Sequence, residues 1–146
     1  MAVGTQAGVL VGDLLEDTAA ALRLIVSRVL ERFPAIRFIV PHLGETIPFP
    51  FARVIRKSDD RIAQGLRSLY HDTVSGSPDA LTCSCQAFGP ERLLFGTDYP
   101  CCDEEQFAHH LGCLDQAKLE PHDLEAIRGA TASELLDLDS RPEGWR

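Results

Sequence analysis

Apolar residues in the first part of the chain recur at the spacing of an α-helix. Between Leu22 and Phe33 they follow one another at three- and four-residue intervals, and charged side chains occupy positions between them. This pattern predicts an amphipathic helix with one buried face. We expect the helix to begin at a capping box on Asp13, or at Asp17 as a second possible cap, and to end before Pro34.

Three short apolar runs follow, and helical patterns alternate with them. The runs lack strict apolar–polar alternation, which is typical of parallel strands buried on both faces; they cover residues 36–40, 69–73 and 92–98. Helices are predicted over residues 51–66, 78–88 and 103–118, and from residue 121 to about residue 138. Ser77 and Pro78 supply the N-cap and first position of one helix. Strands that alternate with helices indicate an α/β fold with a parallel sheet.

The composition fits a folded domain and limits its partners. Of the 146 residues, 45% are hydrophobic and 25% are charged, which is enough apolar material for a core. The chain has 14 basic and 22 acidic residues and a net charge of −8. Because a surface this acidic repels phosphate groups, we expect neither nucleic acid nor a membrane as a partner.

The sequence has the features of a cytoplasmic protein. Its apolar runs are shorter than the roughly 18 residues of a membrane helix, and no basic segment precedes the apolar start as in a signal peptide. Five cysteines, two of them adjacent, are not the pattern of a secreted disulfide framework. We therefore predict a reducing, cytoplasmic compartment.

Polar residues capable of chemistry stand where each predicted strand ends. The first run ends at His42, the second at Asp72 and Thr73, and the third at Asp98. Ligands of parallel α/β folds bind at the carboxyl ends of the strands, so we expect these side chains on one rim. Each could instead have a local role, His42 and Asp72 in capping loops and Asp98 in a turn. A carboxylate at a buried strand end requires a positive partner, and zinc or manganese would supply it at Asp98.

The other histidines are predicted to be structural or exposed. Side chains alternate along a strand, so His71 should point away from Asp72 and towards the helices. Surface roles are predicted for the histidines on or beside polar helix stretches, which are His109, His110 and His122.

The cysteines divide into two groups. Small core positions are predicted for Cys83, Cys85 and Cys113. Cys101 and Cys102 follow Asp98 on the rim, where one of them could face a substrate. A structural zinc site is the less favoured alternative, because the spacing is not that of CxxC pairs.

Several segments together resemble the amidohydrolase-related metal-dependent hydrolases, the family that includes aminocarboxymuconate-semialdehyde decarboxylase. The most specific similarity is residues 92–100, of sequence RLLFGTDYP. Further similarity lies in residues 69–73 and in the segments RFP at 32–34, PHLG at 41–44 and IPF at 47–49. The resemblance covers residues 13–138.

This resemblance implies a fold and a chemistry. The fold would be the carboxyl-terminal part, about three βα units, of a TIM-type (β/α)8 barrel with a divalent metal at the strand ends, zinc before manganese. Asp98 corresponds to the metal-ligating aspartate, and His42 to the histidine that orients or polarises water or substrate. Asp72, Tyr99 and Cys101 are then candidates for contact with a small organic acid or cyclic substrate. The implied reaction is hydrolysis or decarboxylation without an organic cofactor.

The expected domain covers residues 13–138, with an arm or loop over residues 1–12 and a polar tail over residues 139–146. The family's His-x-His or Glu-x-His ligand pair and a further histidine ligand have no counterpart in this sequence, and Glu45 replaces a usual glycine. Activity is therefore expected only with a complementary barrel half or through self-association. The alternative hypothesis is a catalytically incomplete, truncated fragment or an assembly or binding remnant.

Overall fold

Three parallel strands form the centre of the protein. The computed structural model describes residues 11–138. Its strands are β1 (Ile39–Val40), β2 (Tyr70–Asp72) and β3 (Leu93–Leu94), and they lie side by side in chain order. Both pairings are parallel, which confirms the α/β class and the sheet predicted from the sequence. The ladder is shorter than the apolar runs, because strand pairing joins only two or three residues of each run.

Helices precede, connect and follow the strands. They are α1 (Asp13–Val26), α2 (Val29–Arg32), α3 (Phe51–Lys57), α4 (Asp60–Ser68), α5 (Pro78–Phe88), α6 (Glu104–Gln116), α7 (Pro121–Glu125) and α8 (Thr131–Leu135). Short 3-10 turns cover His42–Gly44 and Pro90–Arg92, and a π turn, Ala126–Ala130, joins α7 to α8. Within residues 11–138, no helix is both long enough and apolar enough to cross a membrane.

The predicted start and end of the first helix are wrong in detail. Gly12 takes the N-cap position without a side-chain hydrogen bond, so the capping box on Asp13 does not form, and Asp17 lies inside the helix. The helix also breaks before its predicted end, because the hydroxyl of Ser27 donates to the Arg23 carbonyl and Arg28 adopts a left-handed φ of 61°. A side-chain bond to the backbone competes with the helical pattern there.

Of two later helix predictions, one is wrong in its extent and the other is confirmed at its start. The helix predicted over residues 51–66 is divided into α3 and α4, because Asp59 caps α4 by accepting the Ile62 amide at 2.8 Å. The start of α5 is as predicted: Ser77 accepts the Ala80 amide at 3.2 Å, and Pro78 is the first helical residue. The predicted arm, apart from residues 11 and 12, and the predicted tail lie outside the described residues.

The core lies between the sheet and the helices. Val40, His71 and Leu93 are neighbours in the ladder and are all buried. The imidazole of His71 stacks on Phe88 of α5 with ring centroids 3.8 Å apart, which confirms that it points towards the helices. Side chains alternate along a strand, so Ile39 lies on the opposite face, where it is 52% exposed.

Candidate active site at the strand ends

His42 is fixed directly after β1 by contacts with the end of β2. Its backbone has a left-handed φ of 52°, and the next residue, Leu43, follows with 59°. The His42 amide donates to the carboxylate Oδ1 of Asp72 at 2.7 Å. Its ring Nδ1 lies 3.2 Å from the carbonyl of Val74, and since a carbonyl only accepts, Nδ1 carries the proton. The free ring nitrogen is therefore Nε2, the one able to accept a proton.

Asp72 connects two strand ends rather than standing free on the rim. In addition to the His42 amide, its Oδ1 accepts the amide of Val74 at 3.0 Å. Burial raises the pKa of the Asp72 carboxyl, the backbone donors and His42 lower it, and the charge of Asp98 raises it. The two aspartates are thus close enough to influence each other, as expected for residues of one rim.

Thr73 makes the corresponding connection between β2 and the end of β3. Its hydroxyl donates to the Gly96 carbonyl at 3.3 Å and accepts the Gly96 amide at 3.1 Å. A Cβ atom on Gly96 would lie 3.3 Å from Cβ of Asp72, so the two strand ends approach closely. Together, Asp72 and Thr73 hold the three strand ends at one edge.

Asp98 lies at the tip of a tight turn that follows β3. Its φ is 65°, its side chain is exposed, and its carbonyl accepts the amides of Cys101 and Cys102 at 2.7 and 3.2 Å. Tyr99 is 72% exposed and meets the ring of Phe107 edge to face at 6.0 Å. Cys101 is exposed, whereas Cys102 is buried.

A cavity of about 440 Å³ opens beside His42. Its walls include Leu43, Val74, Glu45 and Cys83. The predicted core position of Cys83 is wrong. The residue is exposed and borders this cavity, because its position on α5 faces away from the buried side that holds Cys85. Buried positions for Cys85 and Cys113 are confirmed.

Glu45 also lines the cavity beside His42, although it was not among the predicted site residues. Its backbone has a φ of 57°, and its Oε1 is buried without a hydrogen-bond partner among the described residues. Burial raises the pKa of the Glu45 carboxyl to about 7; His42 opposes this shift, and nearby acidic groups, Asp17 first, add to it. The signal for this residue was an acid in place of a glycine, three positions after His42. The carboxyl is therefore poised to take up and release a proton near neutral pH.

Asp98, Tyr99 and Cys101 lie away from the cavity beside His42, since none of them borders it. Tyr99 lines a separate hollow of about 200 Å³ with Glu104 and Phe107. The structure thus brings Asp72 into contact with His42 and close to Asp98, while Tyr99 and Cys101 form the outer side of the Asp98 turn.

The surface prediction holds for His122, which is exposed and pairs with Asp123 at 2.9 Å. His109 is exposed as well, but His110 is half-buried, so its surface prediction is wrong. The reason is a polar partner that sequence periodicity does not reveal: Nδ1 of His110 lies 2.9 Å from the Thr97 carbonyl.

The described residues do not form a metal site. Over residues 11–138, no group of three or more His, Cys, Asp or Glu side chains is arranged to hold a metal ion. Asp98 supplies one exposed carboxylate, whereas three protein ligands are usual for catalytic zinc. A metal at this rim needs ligands that this part of the chain does not provide.

Comparison with known proteins shows a consistent set of relatives. The chain is 24% identical over 132 residues to the 6-methylsalicylic acid decarboxylase of Penicillium expansum, covering 83% of this chain and 41% of that protein. It is 24% identical over 137 residues to the gamma-resorcylate decarboxylase of Polaromonas sp., covering 85% of this chain and 41% of that protein. The chain thus spans about two fifths of the length of the curated relatives it matches.

A solved structure shows the same fold. The dihydroxybenzoic acid decarboxylase of Polaromonas sp. JS666, which holds manganese and the inhibitor 2-nitroresorcinol, superposes with a TM-score of 0.75 at 21% identity, covering 88% of this chain and 42% of that chain. The amidohydrolase family profile matches residues 2–138. The chain therefore belongs to the amidohydrolase family.

Proposed function

We propose that the chain forms part of a metal-dependent carboxy-lyase that removes the carboxylate of a small aromatic hydroxy acid. The observation that carries this proposal is that His42 and Glu45 both line a cavity of about 440 Å³. The similarity to two decarboxylases of hydroxybenzoic-type acids favours decarboxylation over the hydrolysis that the sequence also left open.

The reaction needs a proton at the carbon that loses CO2. The bond between the ring carbon and the carboxylate breaks, CO2 leaves, and a proton bonds to the ring carbon in its place. Burial raises the pKa of Glu45 to about 7, so this carboxyl can hold and deliver such a proton near neutral pH. Nδ1 of His42 donates its proton to the Val74 carbonyl. This leaves Nε2 as the ring nitrogen that can hydrogen-bond the substrate or relay the proton.

The remaining predicted site residues receive separate roles in this proposal. Asp72 positions His42 through the Oδ1 bond to its amide. Asp98 provides one ligand for a divalent cation, with the remaining ligands coming from outside the described residues. Tyr99 and Cys101 are exposed on the Asp98 turn, and they would contact a substrate only where the completed site extends from the cavity to that turn.

We further propose that the chain corresponds to the carboxyl-terminal part of a (β/α)8 barrel and acts with a complementary half or a second copy. The chain spans 41% of each of the two curated relatives, and Ile39 of the sheet is 52% exposed. The second candidate, a catalytically incomplete fragment or assembly remnant, is favoured by the incomplete metal site over residues 11–138. A cytoplasmic location stays a prediction.

Carbon dioxide release tests the proposal. The chain is purified alone and together with the product of its flanking coding sequence, supplied with Mn²⁺, and mixed with 2,6-dihydroxybenzoate labelled with ¹³C at the carboxylate. We expect labelled CO2 from the combined protein and none from the chain alone. Within the combined protein, Glu45→Gln should slow the release by about 100-fold or more, whereas the exposed control Glu134→Gln should not.

One result would contradict the carboxy-lyase assignment, and two others would count against finer parts of the proposal. Hydrolysis of a lactone or ester by the combined protein, without CO2 release from any hydroxybenzoate, would identify a hydrolase. Full activity of the Glu45→Gln variant would remove the proton-donor role. Inactivity of a combined protein that binds Mn²⁺ stoichiometrically would favour the remnant.

A further inference from the structure

Two consecutive histidines of α6 contact the loops after two different strands. Nε2 of His109 lies 2.6 Å from the carbonyl of Gly76, which follows β2. Nδ1 of His110 lies 2.9 Å from the carbonyl of Thr97, which follows β3. Because carbonyl oxygens only accept, each of these ring nitrogens carries a proton and donates it. Neighbouring residues of a helix point about 100° apart, so one short segment can reach both loops.

The contact of His110 holds the turn that presents Asp98. The Thr97 carbonyl accepts a second bond from the thiol of Cys102 at 3.0 Å. The next residue, Asp98, has the left-handed φ of 65°, a conformation that costs free energy for a residue with a side chain. Two donors on the preceding carbonyl and two amides on its own carbonyl keep Asp98 in this conformation.

The contact of His109 holds the loop that positions His42. Gly76 has a φ of +64°, and a Cβ atom there would lie 2.9 Å from Cδ2 of His109, so backbone and ring are tightly packed. Two residues earlier in the same loop, the carbonyl of Val74 engages the ring of His42. The amide of Val74 is bonded to Asp72, which also holds the His42 amide.

The helix that carries both histidines is firmly anchored. Asp103 accepts the amide of Gln106 at 2.8 Å, and the side chain of Gln106 accepts the amide of Asp103 at 3.1 Å, which forms a capping box directly after the Asp98 turn. Cys113 and Leu114 bury the far part of the helix against the core. The spacing between the two ring nitrogens is therefore set by a rigid element.

We propose that His109 and His110 are positioning residues that fix the relative placement of His42 and Asp98. The proposal rests on the proposed function, which gives His42 and Asp98 their roles in the site. Neither histidine needs to touch the substrate: His110 acts through the Thr97 carbonyl, and His109 acts through the loop that carries Val74.

The first measurement is amide hydrogen exchange by NMR on the full chain, with variants that remove or restore one donor. His110→Leu should accelerate exchange of the Cys101 and Cys102 amides about tenfold, as expected for the loss of one supporting hydrogen bond. His110→Asn should restore the slow exchange, because its amide nitrogen can occupy the place of Nδ1. His109→Leu and His109→Gln form the equivalent pair for the Val74 amide, and His122→Gln is the exposed control.

The second measurement reports the distance between the two loops. A nitroxide label is attached to exposed Cys101 in a Cys83→Ser background, and its broadening of the His42 amide signal is measured. We expect this broadening to change in His110→Leu and His109→Leu and to return in His110→Asn and His109→Gln.

Unchanged exchange and broadening in both leucine variants would overturn the proposal, and so would asparagine and glutamine variants that behave like leucine. Neither measurement requires metal or turnover, so absence of carboxy-lyase activity would leave this result intact and would count only against the proposed function.

Discussion

Replacing His71 with leucine should remove one destabilising effect of acidification on this protein between pH 7 and pH 5. The imidazole is fully buried, and neither ring nitrogen has a hydrogen-bond partner in the part of the chain that the structure describes. A buried polar group left without a partner costs about 1–3 kcal/mol. Stacking on Phe88 returns about 0.5–1.5 kcal/mol. At pH 7, leucine and histidine should therefore give similar free energies of unfolding.

The difference between the two proteins should appear on acidification. Burial lowers the pKa of His71 from 6.5 to about 3. Below pH 6.5 the unfolded chain binds a proton at this residue and the folded chain does not, so stability falls with decreasing pH. Each pKa unit corresponds to about 1.4 kcal/mol, and the loss between pH 7 and pH 5 is about 2 kcal/mol. The His71→Leu protein should lose about 2 kcal/mol less over this interval.

Urea denaturation followed by circular dichroism at both pH values measures this difference. Glu45 acts in the opposite direction over the same interval, but it is present in both proteins and cancels in the comparison. His122→Gln removes an exposed histidine and should keep the pH dependence of the parent chain. Equal losses in the parent and the His71→Leu protein, or an imidazole ¹⁵N signal of His71 that titrates near pH 6.5 in the folded state, would refute the reasoning.

Three further substitutions test the site and its support. Glu45→Gln should abolish a loss of stability with rising pH, because the pKa of Glu45 is about 7 in the folded chain and 4.5 ordinarily, so the folded chain binds the proton more tightly. Urea denaturation at pH 5 and pH 8 measures this loss. An unchanged difference in stability between the two pH values would contradict the prediction. Thr73→Val should cost about 1–3 kcal/mol by breaking both bonds to Gly96, while Thr73→Ser should keep most of that energy in urea titrations. Gly44→Ala should cost about 2–4 kcal/mol, because φ is +79° and the new Cβ would lie 2.7 Å from Nδ1 of His71. The matched control Gly129→Ala, with no atom within 4 Å, should be neutral or stabilising, and equal melting temperatures for the two alanine variants would count against the packing at Gly44.

Much of the fold could be predicted because it follows from local patterns. The parallel order of the strands follows from apolar runs separated by helices, and the start of α5 follows from Ser77 and Pro78, whose own chemistry decides the cap. The break before α2 could not be predicted, because it depends on Arg28 adopting a left-handed conformation that its residue type disfavours. Such conformations are imposed by surrounding packing and leave no periodic signal.

The residues of the candidate site also differ in whether a local pattern predicts their position. His42, Asp72 and Asp98 could be placed on one rim, because strand ends meet at one edge whatever the loops do. Glu45 could not be placed, because its direction depends on the positive φ values of His42, Leu43 and Glu45 itself. With Gly44, whose φ is 79°, they form four consecutive residues of positive φ, which redirect the chain in a way that neither the helical nor the strand period describes.

The described residues hold the three strand ends together, but they supply only part of the proposed metal site. Asp72 and Thr73 connect all three strand ends through side-chain bonds to backbone amides and carbonyls that lie within the described residues. These bonds need no further strand of a barrel. The proposed metal site does need further strands, because Asp98 is one ligand and a metal site requires several. A partner that completes the proposed barrel would therefore find the three strand ends already held together. Its main contribution would be the missing metal ligands and the strands that cover Ile39.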